Sequence, residues 1–195
     1  DGNYEIVLAK MNGSEMVPVR GRQCSSEQMP EIAKKFPNYN SFANANLKDI
    51  YGNELNKGLH YNARMFSSVI LKNKNGKFEI TSLPIEAQFS TIQGIIYEDF
   101  DKDGNKDLMI AGNAFGSEIE TTRADASVGL LLKGGKDRFI FKPMTVKESG
   151  VFLPDDVKDI QTIKVSGNPS VLVSTNNAPL LFLKNNVPQS QNSKK

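Results

Sequence analysis

The chain has 195 residues, 38% of them hydrophobic, and its 24 basic and 22 acidic side chains leave a net charge of +2. That balance creates no long-range field of the kind that draws proteins to nucleic acid, and a mean hydropathy of −0.40 with no apolar run near the ~18 residues a span requires excludes a membrane-spanning helix. One cysteine, Cys24, excludes an internal disulfide and a zinc site, and one histidine, His60, is expected in an ordinary surface or packing role, because Ser-His-Asp or Cys-His chemistry would rest on it alone.

The length suits one sizeable core or two small ones. The first residues are Asp1-Gly2-Asn3-Tyr4 with no initiating Met and no signal peptide, which leads us to expect a processed or excised piece of something longer. Residues 1–22 read as extended structure: Tyr4 to Leu8 alternates, 11–14 is a turn, and 16–19 a second short strand. From Ser25 the character changes. Ser25 or Ser26 is placed to cap a helix that runs to Phe36 and stops at Pro37, and 41–51 suggests a second helix with Gly52 as its C-cap. We therefore expect a helical insertion over 25–52.

The remainder reads as short strands and turns. Residues 65–72 and 77–80 flank a hairpin turn at Asn73-Lys74-Asn75-Gly76. A strand enters at Gly94, Leu108-Met109-Ile110-Ala111 forms another, and a polar loop follows over 114–126. Residues 128–132 and 138–141 make a further pair, 160–165 and 170–174 another, and 180–183 a last strand; 187–195 reads as a frayed, disordered tail.

One loop carries the densest chemistry. Asp99, Asp101, Asp103 and Asp107 fall at positions 1, 3, 5 and 9, with Gly104 at position 6 and Asn105 at position 7, where its backbone carbonyl can add a ligand. Unpaired, four such carboxylates repel one another; a hard cation such as Ca²⁺, which takes oxygen ligands at about 2.3–2.6 Å, turns that repulsion into binding. An EF-hand does not fit, because position 12 is Ile110 instead of Glu and the flanks are β-rich. Strand, calcium loop, strand is the parse, with the plain solvated hairpin turn as its alternative.

The chain also repeats itself. Leu71-Lys72-Asn73 through Phe78 aligns with Leu132-Lys133-Gly134 through Phe139 at an offset of 61, and residues 94–113 align with 157–176 at an offset of 63. In the second copy Thr162, Lys164, Ser166 and Ser170 stand where the four Asp stand in the first, so the frame persists without the acids. Leu183-Lys184-Asn185-Asn186 resembles the start of a third copy, and Asp1-Gly2-Asn3-Tyr4-Glu5-Ile6 the end of an earlier one, compared with Asn75-Gly76-Lys77-Phe78-Glu79-Ile80. A unit of about four strands has the size of a propeller blade. The domain reading is the end of a preceding blade over 1–24, the helical insertion over 25–52, a blade with the calcium loop over 60–127, and a degenerate blade over 128–186.

The D-x-D-x-D-G-x-x-D loop, preceded by Asn75-Gly76-Lys77-Phe78, resembles the FG-GAP/VCBS repeat of β-propellers. Residues 18–26 and Ala87-Gln88-Phe89-Ser90 are similar to the C-terminal portion of Bacteroidetes VCBS-repeat proteins of the cartilage-acidic-protein and ASPIC/UnbV-like group. The resemblance implies a mainly β fold, here a partial propeller of two to three four-stranded blades. It also implies a secreted or outer-membrane surface setting and calcium held by Asp99, Asp101, Asp103, Asn105 and Asp107. Binding or assembly is the implied role, and the expected partners are other protein chains, components of an outer-membrane complex or the missing part of a propeller. From the residues themselves the rival is a hydrolase acting on glycans or phosphoesters through Glu118, Glu120, Arg123 and Asp125.

Overall fold

The computed structural model describes residues 5–118 and 121–186. It divides into two compact units, Asp1–Arg64 and Met65–Lys195. Strands make up 32% and helices 20% of the chain, so the protein is mainly β. Among the described residues no helix is long and apolar enough to cross a membrane.

In the first unit, β1 (Ala9–Asn12) and β2 (Glu15–Pro18) form an antiparallel hairpin with Met11 opposite Met16. The expected strand at 4–8 is not formed: residues 5–8 carry no regular structure, and Tyr4 lies outside the described residues. The expected helix from Ser25 to Phe36 is two helices, α1 (Arg22–Gln28) and α2 (Glu31–Lys35). Pro30 separates them, because its ring forces the preceding residue out of the helical region and Met29 is accordingly extended at φ −129°. Ser25 is buried inside α1 and does not cap it; Gly21 stands at the N-cap.

The second expected helix is also split, into α3 (Tyr39–Ala43) and α4 (Leu47–Tyr51), since Asn38 and Asn46 each accept an N–H from the following turn and start a helix of their own. Ile32, Phe36, Phe42, Ala45 and Ile50 form the core here, with the Phe36 and Phe42 rings edge to face at 5.8 Å. Arg22 binds the packing from outside, donating through Nε to the Phe36 carbonyl at 2.6 Å.

The second unit is built from three antiparallel sheets. A hairpin of β3 (Val69–Lys74) and β4 (Lys77–Ser82) turns at Asn75-Gly76. A four-stranded sheet follows in the order β5 (Gly94–Glu98), β6 (Asp107–Ala111), β7 (Leu130–Lys133), β8 (Lys142–Pro143). A three-stranded sheet of β9 (Val157–Val165), β10 (Asn168–Thr175) and β11 (Leu181–Leu183) has β10 in the middle. The sheets stay separate and none closes into a barrel among the described residues.

Period-2 alternation makes both faces of the four-stranded sheet apolar. One face sends Ile110 and Leu132 into a cluster with Ile70, Leu83, Ala87 and Phe141; the other sends Ile96 and Met109 against Val157, Ile160, Val171 and Val173. β6 is therefore buried almost throughout, as strands covered on both sides are. Gly94 permits the closest approach in this packing, since a Cβ there would lie 2.8 Å from the Ile160 backbone nitrogen.

One expected strand is not formed in this unit. Residues 138–141 do not form a strand, because the Asp137 carboxylate accepts the Phe139 N–H at 3.1 Å and its carbonyl accepts the Ile140 N–H, which closes a turn and delays β8 to Lys142. A short helix α5 (Val146–Ser149), held by a Thr145–Glu148 capping box, went unanticipated although its signature is in the sequence. The four-stranded sheet draws strands from both sides of the 127/128 boundary read from the repeat. The expected tail at 187–195 lies outside the described residues.

Candidate metal centre

β5 and β6 stay paired as far as Glu98 opposite Asp107, and the residues between them form the acidic loop. Lys102 and Gly104 adopt positive φ, 62° and 88°, which coils the loop inward. The carboxylates then serve its backbone. Asp99 accepts the N–H groups of Asp103 at 3.2 Å and Gly104 at 3.0 Å, and Asp101 accepts the same Asp103 N–H at 3.1 Å. Asp103 Oδ1 accepts both the backbone N–H of Asn105 at 2.8 Å and its side-chain amide at 3.0 Å.

Asp107 differs from the other three because it is buried, 2% exposed. Its Oδ2 accepts the Phe100 N–H at 3.0 Å, closing the loop, and its Oδ1 accepts the Gly134 N–H at 2.9 Å, bracing the loop against the end of β7. Gly134 must be glycine there: a Cβ would fall 1.9 Å from the Lys106 carbonyl oxygen. Burial pushes the Asp107 carboxyl above its ordinary range, opposed by the Gly134 and Phe100 N–H groups and reinforced by the charges of Asp101 and Asp103.

Of the five residues expected as ligands, Asp99, Asp101 and Asp107 converge, with one carboxylate oxygen from each within 4.8 Å of the others. Two oxygens on one calcium ion at about 2.3–2.6 Å stand no more than about 5 Å apart, so this all-oxygen trio fits a hard divalent cation. Asp103 stands outside the trio, its oxygens turned to Asn105 and to Lys133.

Lys133, at the end of β7, was not anticipated. Its Nζ bonds Asp101 Oδ2 and lies 3.3 Å from Asp103 Oδ2. These contacts, that with Asp101 first, raise the Lys133 ammonium above its usual range. Asp103 is held low, chiefly by the Asn105 backbone N–H and further by the Asn105 amide and Lys133. The sequence carried Lys133 only as part of the recurring Leu-Lys pair; nothing in it placed that lysine on a loop 32 residues away. Asp101 and Asp107 also border a cavity of about 720 Å³ whose other walls are mostly apolar.

The aligned segment at 162–170 closes in another way. β9 and β10 pair up to Val165 opposite Asn168, and Ser166-Gly167 makes the turn, with φ of 51° and 78°. Ser170, at the place of Asp107, is buried and its hydroxyl accepts the Asn185 N–H at 3.4 Å.

The polar loop at 114–126 is pinned by an antiparallel bridge between Ala114 and Ala124. Arg123 donates to Asp125 at 2.7 Å and lies over the Phe115 ring, Glu118 accepts from Thr121 at 3.0 Å, and Glu120 lies outside the described residues. Both pairs are exposed and each satisfies its partner locally. His60 is exposed as well, its Nε2 bonded to the Leu55 carbonyl. A second residue missed from sequence is Asn113, fully buried, whose amide donates to the carbonyls of Ser127, Pro154 and Asp155 and whose Oδ1 accepts the Ser127 N–H. No protein-family model matches the chain, and no curated protein and no solved structure matches it either.

Proposed function

We propose that this chain is a non-catalytic binding or assembly module, stabilised by a calcium ion in the 99–107 loop, from a secreted or outer-membrane-associated protein of the propeller type. The observation that carries the metal reading is the convergence of Asp99, Asp101 and Asp107 within 4.8 Å. The residues expected to hold the ion are these three, with Asp103 and the Asn105 carbonyl joining once Lys133 leaves. Lys133 and calcium are competitors here: each neutralises the same carboxylates, and the ion does so with more charge and shorter contacts. Calcium then ties the end of β5 to the start of β6, and its binding free energy becomes folding free energy. A plentiful calcium supply favours an extracellular setting.

The assembly reading is supported by the sheets. The β5-β6-β7-β8 meander followed by β9-β10-β11 in the same sense suits consecutive blades, the second lacking its outermost strand. Apolar side chains stand exposed at both ends of the stack: Leu71, Phe78 and Ile80 share one face of the β3–β4 hairpin, and Phe182 lies on β11. Patches of this kind mark surfaces that bind a partner.

Thermal unfolding with calcium and with EDTA tests the metal reading. Calcium is expected to raise the melting temperature of the wild type, and Asp101→Ala to remove most of that increment while changing the EDTA value little. A wild type that melts identically in both conditions refutes it.

A further inference from the structure

We propose that the edge of β11, unpaired among the described residues, takes up a fourth strand, and that this strand is the 5–8 segment of a second copy of the chain, running antiparallel with Ile6 opposite Leu183. The inference rests on the assembly reading above and is independent of the metal.

The registers define the missing strand. β7 pairs with β6 on one side and β8 on the other, whereas β11 pairs with β10 alone among the described residues. Leu132 lies opposite Leu108 and Leu183 opposite Val171, and Leu108 and Val171 are partners in the 63-residue alignment, so Leu132 and Leu183 hold equivalent places. The side chain of Leu132 enters the cluster shared with the β3–β4 hairpin, where Phe141, leading into β8, packs beside it. Leu183 packs in the same sense toward the four-stranded sheet, but beside it lies the cavity of about 720 Å³, walled by Met109, Leu131, Met144 and Val151. A fourth strand on β11 would direct apolar side chains into that space, as the segment before β8 directs Phe141 into the preceding one.

The chain contains a sequence suited to the place. β4 opens with Gly76-Lys77-Phe78-Glu79-Ile80 and pairs Leu71 with Ile80, Lys72 with Glu79 and Val69 with Ser82. Gly2-Asn3-Tyr4-Glu5-Ile6 repeats that pattern at an offset of 74. Carried onto β11, the register sets Ile6 opposite Leu183, Leu8 opposite Leu181 and Glu5 opposite Lys184, the last placing opposite charges across the strands as Lys72 and Glu79 are placed. Ile6 and Leu8 are 67% and 51% exposed, so the apolar face that would fill the cavity is available for a neighbouring copy. Strand addition of this kind takes its affinity from main-chain hydrogen bonds and its register from alternate side-chain pockets.

The test is a cross-link between full-length chains in a Cys24→Ser background, one carrying Ile6→Cys with a size tag and the other Leu183→Cys. Oxidation of the mixture is expected to give the mixed dimer, and a partner carrying Gln161→Cys on β9 is expected to give none. Sedimentation of the wild type is expected to show concentration-dependent association, weakened at least tenfold by Val7→Pro, which removes a ladder N–H from an irregular segment. Absence of the mixed dimer overturns the inference. So does an intrachain disulfide formed in preference by the Ile6→Cys, Leu183→Cys double variant, and so does a wild type that stays monomeric. Association that survives Val7→Pro overturns strand pairing but leaves the assembly reading standing.

Discussion

The Gly134 backbone N–H donates to Asp107 Oδ1 at 2.9 Å, and this bond fastens the start of β6 to the end of β7 from inside the protein. With the Phe100 N–H on its other oxygen, the Asp107 carboxylate is a brace for the loop whether or not an ion is bound. Asp107→Ala leaves two donors without their acceptor and is expected to cost about 3 kcal/mol, at about 1–3 kcal/mol for each stranded buried group. The loss should appear already in EDTA and be larger in calcium, by denaturant unfolding. A loss confined to calcium would show that the side chain acts through metal alone.

Lys133 is expected to oppose metal binding. Lys133→Met removes the ammonium that sits on Asp101 and Asp103, so calorimetric titration should show calcium binding several-fold tighter than in the wild type. In EDTA the same variant should lose under about 1 kcal/mol, since a half-exposed ion pair contributes little. Weaker calcium binding would mean that the lysine supports the site.

Gly94 sets the distance between β5 and β9. Gly94→Ala places a methyl 2.7 Å from Ile160 Cγ1 and 2.8 Å from its nitrogen, so the sheets must separate. Overpacking of this order costs about 1–3 kcal/mol. Gly116→Ala, where a Cβ meets nothing, serves as the control and should melt close to the wild type.

Glu148 links stability to pH through the α5 cap. The Thr145 backbone N–H and hydroxyl hold its carboxyl below the ordinary range. A carboxylate whose pKa is lower folded than unfolded adds stability above its unfolded value and loses it as the pH falls through the folded one. Melting temperature should therefore decline more steeply on acidification in the wild type than in Glu148→Gln. Parallel curves would show that the cap carries no charge dependence.

The strand–loop–strand frame at 94–111 and the Asn75-Gly76 turn were legible because their signals are local: β-branched and apolar runs bounded by residues suited to positive φ. Helix ends were less so. Pro30 and Asn46 act locally too, yet each sits inside an apolar pattern at helical period that runs past it, and the break won over the period. Phe139 was misread for a related reason, since an aromatic run resembles a strand until Asp137 takes its N–H.

The sequence by itself determined that four acids would crowd one loop between two strands, because spacing along a short turn leaves them no other arrangement. Only the tertiary structure decided which of them do what. Burial under β7 makes Asp107 a brace, and Lys133 arrives from the same strand to pair with Asp101 and Asp103. Both effects depend on β7 pairing beside β6, a non-local contact that no spacing within the loop records.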